Sequence, residues 1–246
     1  MFSKYEMNLD VSNSHVNDKG EMKELSIVNS LQDIEGLHID NLNVFTDYLN
    51  ENNLGVFLLY RQIDIIRKPL FGQKLKLSTY PYNTNSISGY RHIYIHDDND
   101  DLLVTTNSFG AFVDLKTYFP ARIPRSIIKT IKDGEESQLM EILPRKIEFN
   151  EESLSLLDSF PIKRSNIDRY KHVNNAFYIE FALDSFKEEF NYNRIRAEYK
   201  KSFKLGDTVK VYLNLDEKGH KIVILKDQNE EINAIIEFLD VKLDLL

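Results

Sequence analysis

The sequence contains no cysteine. Disulfide bridges, thiolate nucleophiles and thiolate metal sites are therefore excluded, and the absence suits the reducing cytoplasm, where we expect the protein to act. Tryptophan is missing as well, although 15 phenylalanines and 13 tyrosines supply ample aromatic surface for a core. The six histidines show no spacing typical of metal ligands, so we expect no metal site.

Long apolar runs and an excess of positive charge are also absent. The longest apolar runs, such as VFLLY at 56–60, fall far short of the roughly 20 residues needed to cross a bilayer. The N-terminal residues alternate polar and apolar types and lack the apolar core of a secretory signal. A net charge of −8 argues against non-specific nucleic-acid binding, which depends on Lys and Arg. We therefore expect an intracellular globular protein without a membrane span or a nucleic-acid partner.

Two segments of the chain resemble each other. The stretches QIDIIRKPLFGQKLKLSTYP (62–81) and AEYKKSFKLGDTVKVYLNLD (197–216) each consist of an alternating strand, a break at glycine and a second alternating strand. A shift of 134 positions, from Gly72 to Gly206, preserves the pattern of polar and apolar residues. The sequence therefore predicts a duplicated unit, although helix-then-hairpin patterns also occur twice by chance in α+β proteins.

A predicted helix precedes each of these strand pairs. The first has apolar residues at a spacing of three, namely Met22, Leu25, Val28, Leu31 and Ile34, whereas the second, beginning near residues 173–175, is apolar on most of its circumference. We expect an α+β fold of two units, each a helix wrapped by a mainly antiparallel sheet. The charged segment 128–155 is the predicted connection, so we divide the chain into residues 1–140 and 141–246.

A polar cluster, SNIDRYKHVNNAFYI (165–179), leads into the second helix. The unpaired N–H groups at a helix N-terminus can stabilise a polarised carbonyl oxygen. Asp168 could act beside that oxygen as a base or nucleophile, while His172 orients or protonates a reacting group. This pattern favours acyl transfer or ester hydrolysis. The alternative is structural, because Asn174 or Asn175 could simply cap the helix and His172 could be a hydrogen-bonded turn residue.

The stretch IDRYKHVNNAFYI resembles the D-x-N-x-H-V-N-N-x-x-Y-I signature of acyl-acyl carrier protein thioesterases of the plant and bacterial type. The resemblance extends through NLGVFLLYRQIDIIRKPLFGQKLKLSTYPYN and GAFVDLKTYFPARIP, and so spans nearly the whole chain. It implies a tandem double hotdog, with an acyl-binding first half and a catalytic second half. It also implies hydrolysis of acyl-acyl carrier protein in fatty acid biosynthesis, with no cofactor.

The resemblance implies catalytic roles for Asp168 and His172, with Asn174 and Asn175 as neighbours. Two positions depart from the family. Tyr170 stands where the signature has Asn, and Ser202 stands where a Glu is expected on the following strand. The family's protein partner is small and acidic, and the basic residues that we expect to receive it are Arg164, Arg194, Lys200, Lys201 and Lys204. Alternatively, these cations form an ordinary solvated face.

The two departures favour a second hypothesis, a non-catalytic carrier-binding or regulatory protein on the same scaffold. A third hypothesis is a thioesterase for acyl-coenzyme A, which predicts a basic nucleotide-binding groove that the sequence does not reveal. A homodimer stays open as well, since two fused hotdogs already supply the contact that single hotdogs obtain by pairing.

Overall fold

The computed structural model describes residues 3–136, 139–215 and 219–243. These residues divide into two compact units, the first holding 3–23 and 29–142 and the second 24–28 and 143–243. Residues 137 and 138 of the predicted connection lie outside the described residues, as do 1–2, 216–218 and 244–246 of the two predicted halves. Within the described ranges, no helix is long and apolar enough to span a membrane.

The first unit contains an antiparallel sheet in the order β1-β3-β4-β5-β2. Its strands are β1 (Tyr5–Asp10), β2 (Leu54–Ile65), β3 (Lys74–Tyr82), β4 (Ser88–His96) and β5 (Leu102–Asp114). The helices of this half of the sequence are α1 (Glu24–Asp40), α2 (Asn43–Glu51) and the short α3 (Arg125–Ile128).

Helix α1 buries a stripe that differs slightly from the predicted one. Val28, Leu31 and Ile34 are buried as expected, but Ile27 is buried while Leu25 is only half-buried. A helix of 3.6 residues per turn brings residues three and four apart onto one face, so Ile27, four residues before Leu31, lies on the buried face and Leu25 turns partly away from it. Helix α2 packs into a cluster made by Phe45, Leu49, Phe112, Ile123 and Ile131.

The second unit repeats this plan with the strand order β7-β10-β9-β8-β6. Its elements are β6 (Ser155–Pro161), α4 (Asn175–Asp184), β7 (Arg194–Tyr199), β8 (Thr208–Leu215), β9 (Lys221–Lys226) and β10 (Ile232–Leu239). Five of the ten residues of α4 are buried, as its apolar circumference predicts. The predicted α+β class, with helices packed on antiparallel sheets, is confirmed.

The duplication is visible in the backbone. Gly72 and Gly206 both adopt left-handed backbone angles, with φ of 83° and 97°, in the turn before the next strand. Glycine is favoured there because it has no Cβ to clash. The following strands begin at Lys74 and Thr208, which preserves the predicted shift of 134.

A later turn is duplicated as well. Asp97 accepts backbone hydrogen bonds from the residues two and four positions further on, and Asp227 does the same in the second unit. Each aspartate is paired with a cation from the matching strand end, Arg67 at 2.9 Å and Lys201 at 3.1 Å. Lys201 thus has the same structural partner in its unit that Arg67 has in the other.

Candidate active site

The polar cluster forms a tight turn between Ile167 and Val173, which pair as an isolated antiparallel bridge. The backbone N–H of Asp168 donates to the carbonyl of His172 at 2.8 Å, and that of Lys171 donates to the carbonyl of Asp168 at 3.1 Å. Lys171 has a left-handed φ of 64°, which closes the turn. The turn therefore places Asp168 and His172 opposite each other, with His172 two residues before Asn174, the N-cap of the following helix.

The two carboxylate oxygens of Asp168 differ in their surroundings. Oδ1 accepts the backbone N–H groups of Tyr170 at 2.8 Å and His172 at 3.3 Å. Oδ2 makes no hydrogen bond to any residue in the described ranges. One oxygen therefore holds the turn, which fixes the direction of the other.

Residues 16–22 of the first unit form the same turn. The N–H of Asn17 donates to the carbonyl of Glu21 at 2.8 Å, and Asn17 Oδ1 accepts the N–H groups of Lys19 and Glu21, both at 3.0 Å. Gly20 takes the left-handed position, with φ of 75°. The turn in the first unit is thus hydrogen-bonded like the turn in the second, at a shift from residue 17 to residue 168.

This comparison separates what the fold needs from what the chemistry needs. The amide oxygen of Asn17 satisfies the same two N–H positions as the carboxylate oxygen of Asp168, so the turn requires an acceptor but no negative charge. Glu21 occupies the place of His172, so the turn does not require an imidazole either. Of the two turns, the second alone has a carboxylate at the acceptor position and an imidazole at the position that Glu21 occupies in the first.

The capping interpretation is correct for Asn174. Its side-chain oxygen accepts the N–H of Ala176 at 2.9 Å, and its carbonyl accepts that of Phe177 at 2.9 Å. The backbone N–H of Asn175 donates no hydrogen bond to any residue in the part of the chain that the structure describes. That donor lies at the positive end of α4, next to the turn that carries His172.

Two hydrogen bonds connect the segment that contains Ser202 to the end of this turn and to α4. Val173 N–H donates to the carbonyl of Phe203 at 2.9 Å, and Phe203 N–H donates to the hydroxyl of Tyr178 at 2.9 Å. The half-buried Ser202 precedes Phe203, so the backbone brings it beside the turn. Sequence reasoning assigned no role to Tyr178, although it is the tyrosine of the H-V-N-N-x-x-Y pattern.

His172 is neutral near pH 7. Burial lowers its pKa, and the positive charge of Lys204 lowers the pKa further against the opposite effect of Asp168. Tyr170 is 57% exposed, and its hydroxyl accepts a hydrogen bond from Arg169 Nη2 at 2.8 Å. The residue that replaces the family's Asn thus gives its backbone N–H to Asp168 while its side chain packs with an exposed arginine.

The five basic residues predicted to bind a partner are placed differently from one another. Arg194 is only 4% exposed, so its guanidinium does not belong to an exposed surface. Lys200 pairs with Glu198 at 2.7 Å, and Lys201 pairs with the turn aspartate of its unit and with a second acid. Arg164 and Lys204 are exposed on the segments that flank the turn.

Comparison with known proteins gives a consistent family. The model of the acyl-ACP thioesterase N-terminal domain matches residues 3–131, and the model of the C-terminal domain matches residues 149–239. An acyl-ACP thioesterase from Bacteroides thetaiotaomicron is 20% identical, with a TM-score of 0.80 over 96% of this chain and 97% of that one. The 12:0-ACP thioesterase from Umbellularia californica is 13% identical, with a TM-score of 0.79 over 97% of each chain.

These structural likenesses confirm the predicted tandem double hotdog fold. A search of curated proteins gave no significant match. The two family models together account for most of the chain and meet it in the order of its two units. The chain therefore belongs to the acyl-acyl carrier protein thioesterase family, and it is a thioester hydrolase.

Proposed function

We propose that the chain releases fatty acid from acyl-acyl carrier protein at the turn formed by residues 167–173, as a step of fatty acid biosynthesis. This proposal rests on the different surroundings of the two carboxylate oxygens of Asp168. Oδ1 is held by two backbone N–H groups, and Oδ2 is left for a reacting water. Such fixed orientation is what general base catalysis requires.

In the proposed reaction, Asp168 Oδ2 takes a proton from water as the water oxygen attacks the thioester carbonyl carbon. The N–H of Asn175 and the positive end of α4 stabilise the developing oxyanion. His172, which starts neutral, takes this proton from Asp168 and becomes imidazolium. The carbon–sulfur bond then breaks, and the imidazolium donates the proton to the leaving thiolate, which restores ionised Asp168 and neutral His172. The lowered pKa of His172 supports the neutral form that this sequence needs.

The two halves carry separate tasks in this proposal. Residues 1–140 bind the acyl chain, and residues 141–246 hold the catalytic turn. This division is supported by the first-unit turn, which has Asn17 at the position of Asp168 and Glu21 at the position of His172. Acyl carrier protein docks through the exposed cations Arg164 and Lys204, assisted by Lys200 and Lys201. We place the reaction in the cytoplasm, a compartment that suits a cysteine-free chain, and the pairing of two chains into a homodimer remains a hypothesis.

The decisive experiment is Asp168→Asn, assayed with acyl-acyl carrier protein and acyl-coenzyme A side by side. We expect kcat to fall by roughly 10²–10⁴-fold, because the general base is lost. We expect thermal stability to stay close to that of the parent, because Asn17 makes the same turn with an amide. Turnover equal to that of the parent would remove Asp168 from the mechanism.

The first unit supplies a matched control. Asn17→Ala and Asp168→Ala each remove the acceptor that holds a turn, so both should lower stability by about 1 kcal/mol. Only Asp168→Ala should abolish turnover. An equal loss of turnover in Asn17→Ala would show that activity follows turn stability rather than the charge on residue 168. A higher kcat/KM for the coenzyme A thioester in the parent would contradict the carrier-protein assignment.

A further inference from the structure

A basic segment follows the last strand of the first unit. Residues 115–132, LKTYFPARIPRSIIKTIK, contain five cations and no acid in a chain whose net charge is −8. All five cations are exposed, and none forms an ion pair with a residue of the described ranges; they are Lys116, Arg122, Arg125, Lys129 and Lys132. We call residues 115–132 the basic segment. Its charge is opposite in sign to that of the molecule as a whole.

The basic segment begins with an exposed aromatic turn. Tyr118 N–H donates to the carbonyl of Asp114 at 2.8 Å, and Asp114 N–H donates to the carbonyl of Phe119 at 3.0 Å. Tyr118 has a left-handed φ of 59°. This closed turn leaves Phe119 72% exposed and Tyr118 52% exposed. The Phe119 ring is thus mostly in solvent, whereas the half-exposed Tyr118 ring lies beside that of Phe57, with ring centroids 6.2 Å apart.

The remainder of the segment is anchored to the unit. Ala121 N–H donates to the carbonyl of Phe112 at 2.8 Å, and Ile123 N–H donates to that of Ser86 at 2.7 Å. Ile123 and Ile131 are buried in the cluster that receives α2. The aromatic turn and the cations around it therefore belong to an ordered surface of the first unit.

Acids on the neighbouring elements offset part of this positive charge, but none lies within the segment itself. Asp114 accepts the N–H groups of Lys116 and Thr117, both at 2.8 Å, and those bonds hold its pKa below the usual range. Asp133 accepts two hydrogen bonds from Thr84, both at 2.6 Å. Helix α2 contributes the exposed Asp47 and Glu51, so the five cations of the segment stand against these four acids of the neighbouring elements.

We propose that the basic segment docks the protein on an anionic lipid surface. Phe119 and Tyr118 enter the boundary between headgroups and acyl chains, and the five cations face the lipid phosphates. Aromatic and basic residues combined on one surface are typical of proteins that lie on membranes. An acidic protein partner would need a cleft to receive the exposed ring of Phe119, whereas a bilayer accepts it at any point. The proposal does not depend on the hydrolytic mechanism.

The test is cosedimentation of the whole protein with vesicles. We expect binding to vesicles of equal parts phosphatidylcholine and phosphatidylglycerol, weakened by salt, and little binding to phosphatidylcholine alone. Phe119→Ala should weaken binding by roughly tenfold through lost apolar burial. Arg122→Gln and Arg125→Gln should each weaken it by about fivefold, which corresponds to about 1 kcal/mol per cation near an anionic membrane.

The control is Phe71→Ala, which removes another phenylalanine of the first unit that is 61% exposed but lies outside the basic segment. Its binding should equal that of the parent. The proposal is overturned if the parent fails to bind anionic vesicles, or if Phe71→Ala weakens binding as much as Phe119→Ala. It is also overturned if Arg122→Gln and Arg125→Gln raise KM for acyl-acyl carrier protein without vesicles while KM for acyl-coenzyme A is unchanged. That result would assign the surface to the carrier protein.

Discussion

The pKa of the half-buried His172 is set by burial and by two charged neighbours, Asp168, which raises it, and Lys204, which lowers it. Burial is the largest cause of its lowered pKa, and the charge of Lys204 acts in the same direction. A lowered pKa keeps the ring neutral to a more acidic pH than the ordinary value of 6.5. As the pH is lowered, activity should therefore decline at a lower pH than it would if the catalytic histidine were exposed.

Removing the positive charge of Lys204 should shift the acidic decline of activity to a different pH. In Lys204→Gln we expect the pKa of His172 to rise and the decline of kcat/KM on acidification to begin at a higher pH. The measurement is a pH profile with a short synthetic thioester, which avoids any role of Lys204 in carrier binding. Lys200→Gln is the control, because Lys200 is paired with Glu198. An identical shift in both variants would point to a general change in charge rather than to His172.

The two family departures yield a second prediction at this scale. Tyr170→Asn and Ser202→Glu made together should raise kcat, since an amide and a carboxylate return at the positions where the family carries them. The missing groups are expected to cost about 10²-fold or more in the parent. Single-turnover rates of the double variant should be compared with Tyr170→Asn combined with Ser202→Gln, which matches in size but lacks the charge. Equal rates would mean that residue 202 is not the position of the missing acid.

At the scale of elements, helix α4 and the segment after β7 are joined through Tyr178. Its hydroxyl accepts the N–H of Phe203 at 2.9 Å in a buried position. Tyr178→Phe would leave that N–H without a partner, which costs about 1–3 kcal/mol. The free energy of unfolding in urea measures this loss. Tyr199→Phe is the matched control and should cost less, because its hydroxyl lies 3.4 Å from the carbonyl of Asn175. A Tyr178→Phe variant as stable as the parent would contradict the assigned role.

The sequence predicted the elements that depend on local pattern. Strand alternation and the glycine breaks at 72 and 206 identified the repeat, and the apolar circumference of α4 predicted its burial. The equivalence of the two polar turns was not predicted. It lies at a different shift from the strands, and the first-unit turn has Asn17 and Glu21 where the second has Asp168 and His172, so residue identity does not reveal it.

Surface assignments were harder to predict because they depend on packing. Arg194 begins a strand whose residues are mostly buried, and Lys201 repeats the structural pairing of Arg67. The position of a basic residue in the sequence near the predicted site does not reveal whether the sheet buries its side chain. The open oxygen of Asp168 likewise depends on hydrogen-bond directions that no spacing encodes. Its catalytic use therefore remains a prediction.

At the scale of the molecule, acid stability should depend on two buried histidines. Burial lowers the pKa of His38 to about 3 and that of His92 to about 4, from 6.5. His38 Nδ1 lies 2.7 Å from Arg91 Nη1, which can only donate, so the ring is neutral with its proton on Nε2. The unfolded chain takes up these protons near pH 6.5, whereas the folded chain does not. Stability is therefore greatest above that pH and falls as the pH drops toward 4.

We expect the free energy of unfolding to fall between pH 7 and pH 5, by at most about 1.4 kcal/mol per pH unit for each histidine. Urea titrations at both values measure the change, and this window lies above the ordinary range of carboxylates. His38→Gln should reduce the slope. His15→Gln, at a residue of the first-unit turn region that is only half-buried, should leave it unchanged. A stability that does not vary between these pH values would contradict the neutral buried state.

In a chain with two equivalent turns, the turn of the first unit is an internal reference for the turn of the second. Where Asn17 and Asp168 share a property, such as an acceptor oxygen, the property belongs to folding; where they differ, as in charge, it belongs to chemistry. Aligning the first half of any relative against its own second half applies the same test without a second protein. A relative with an acid and a histidine in both turns would hold two reactive loops in one chain. A relative with an amide in both would keep the architecture as a binding protein.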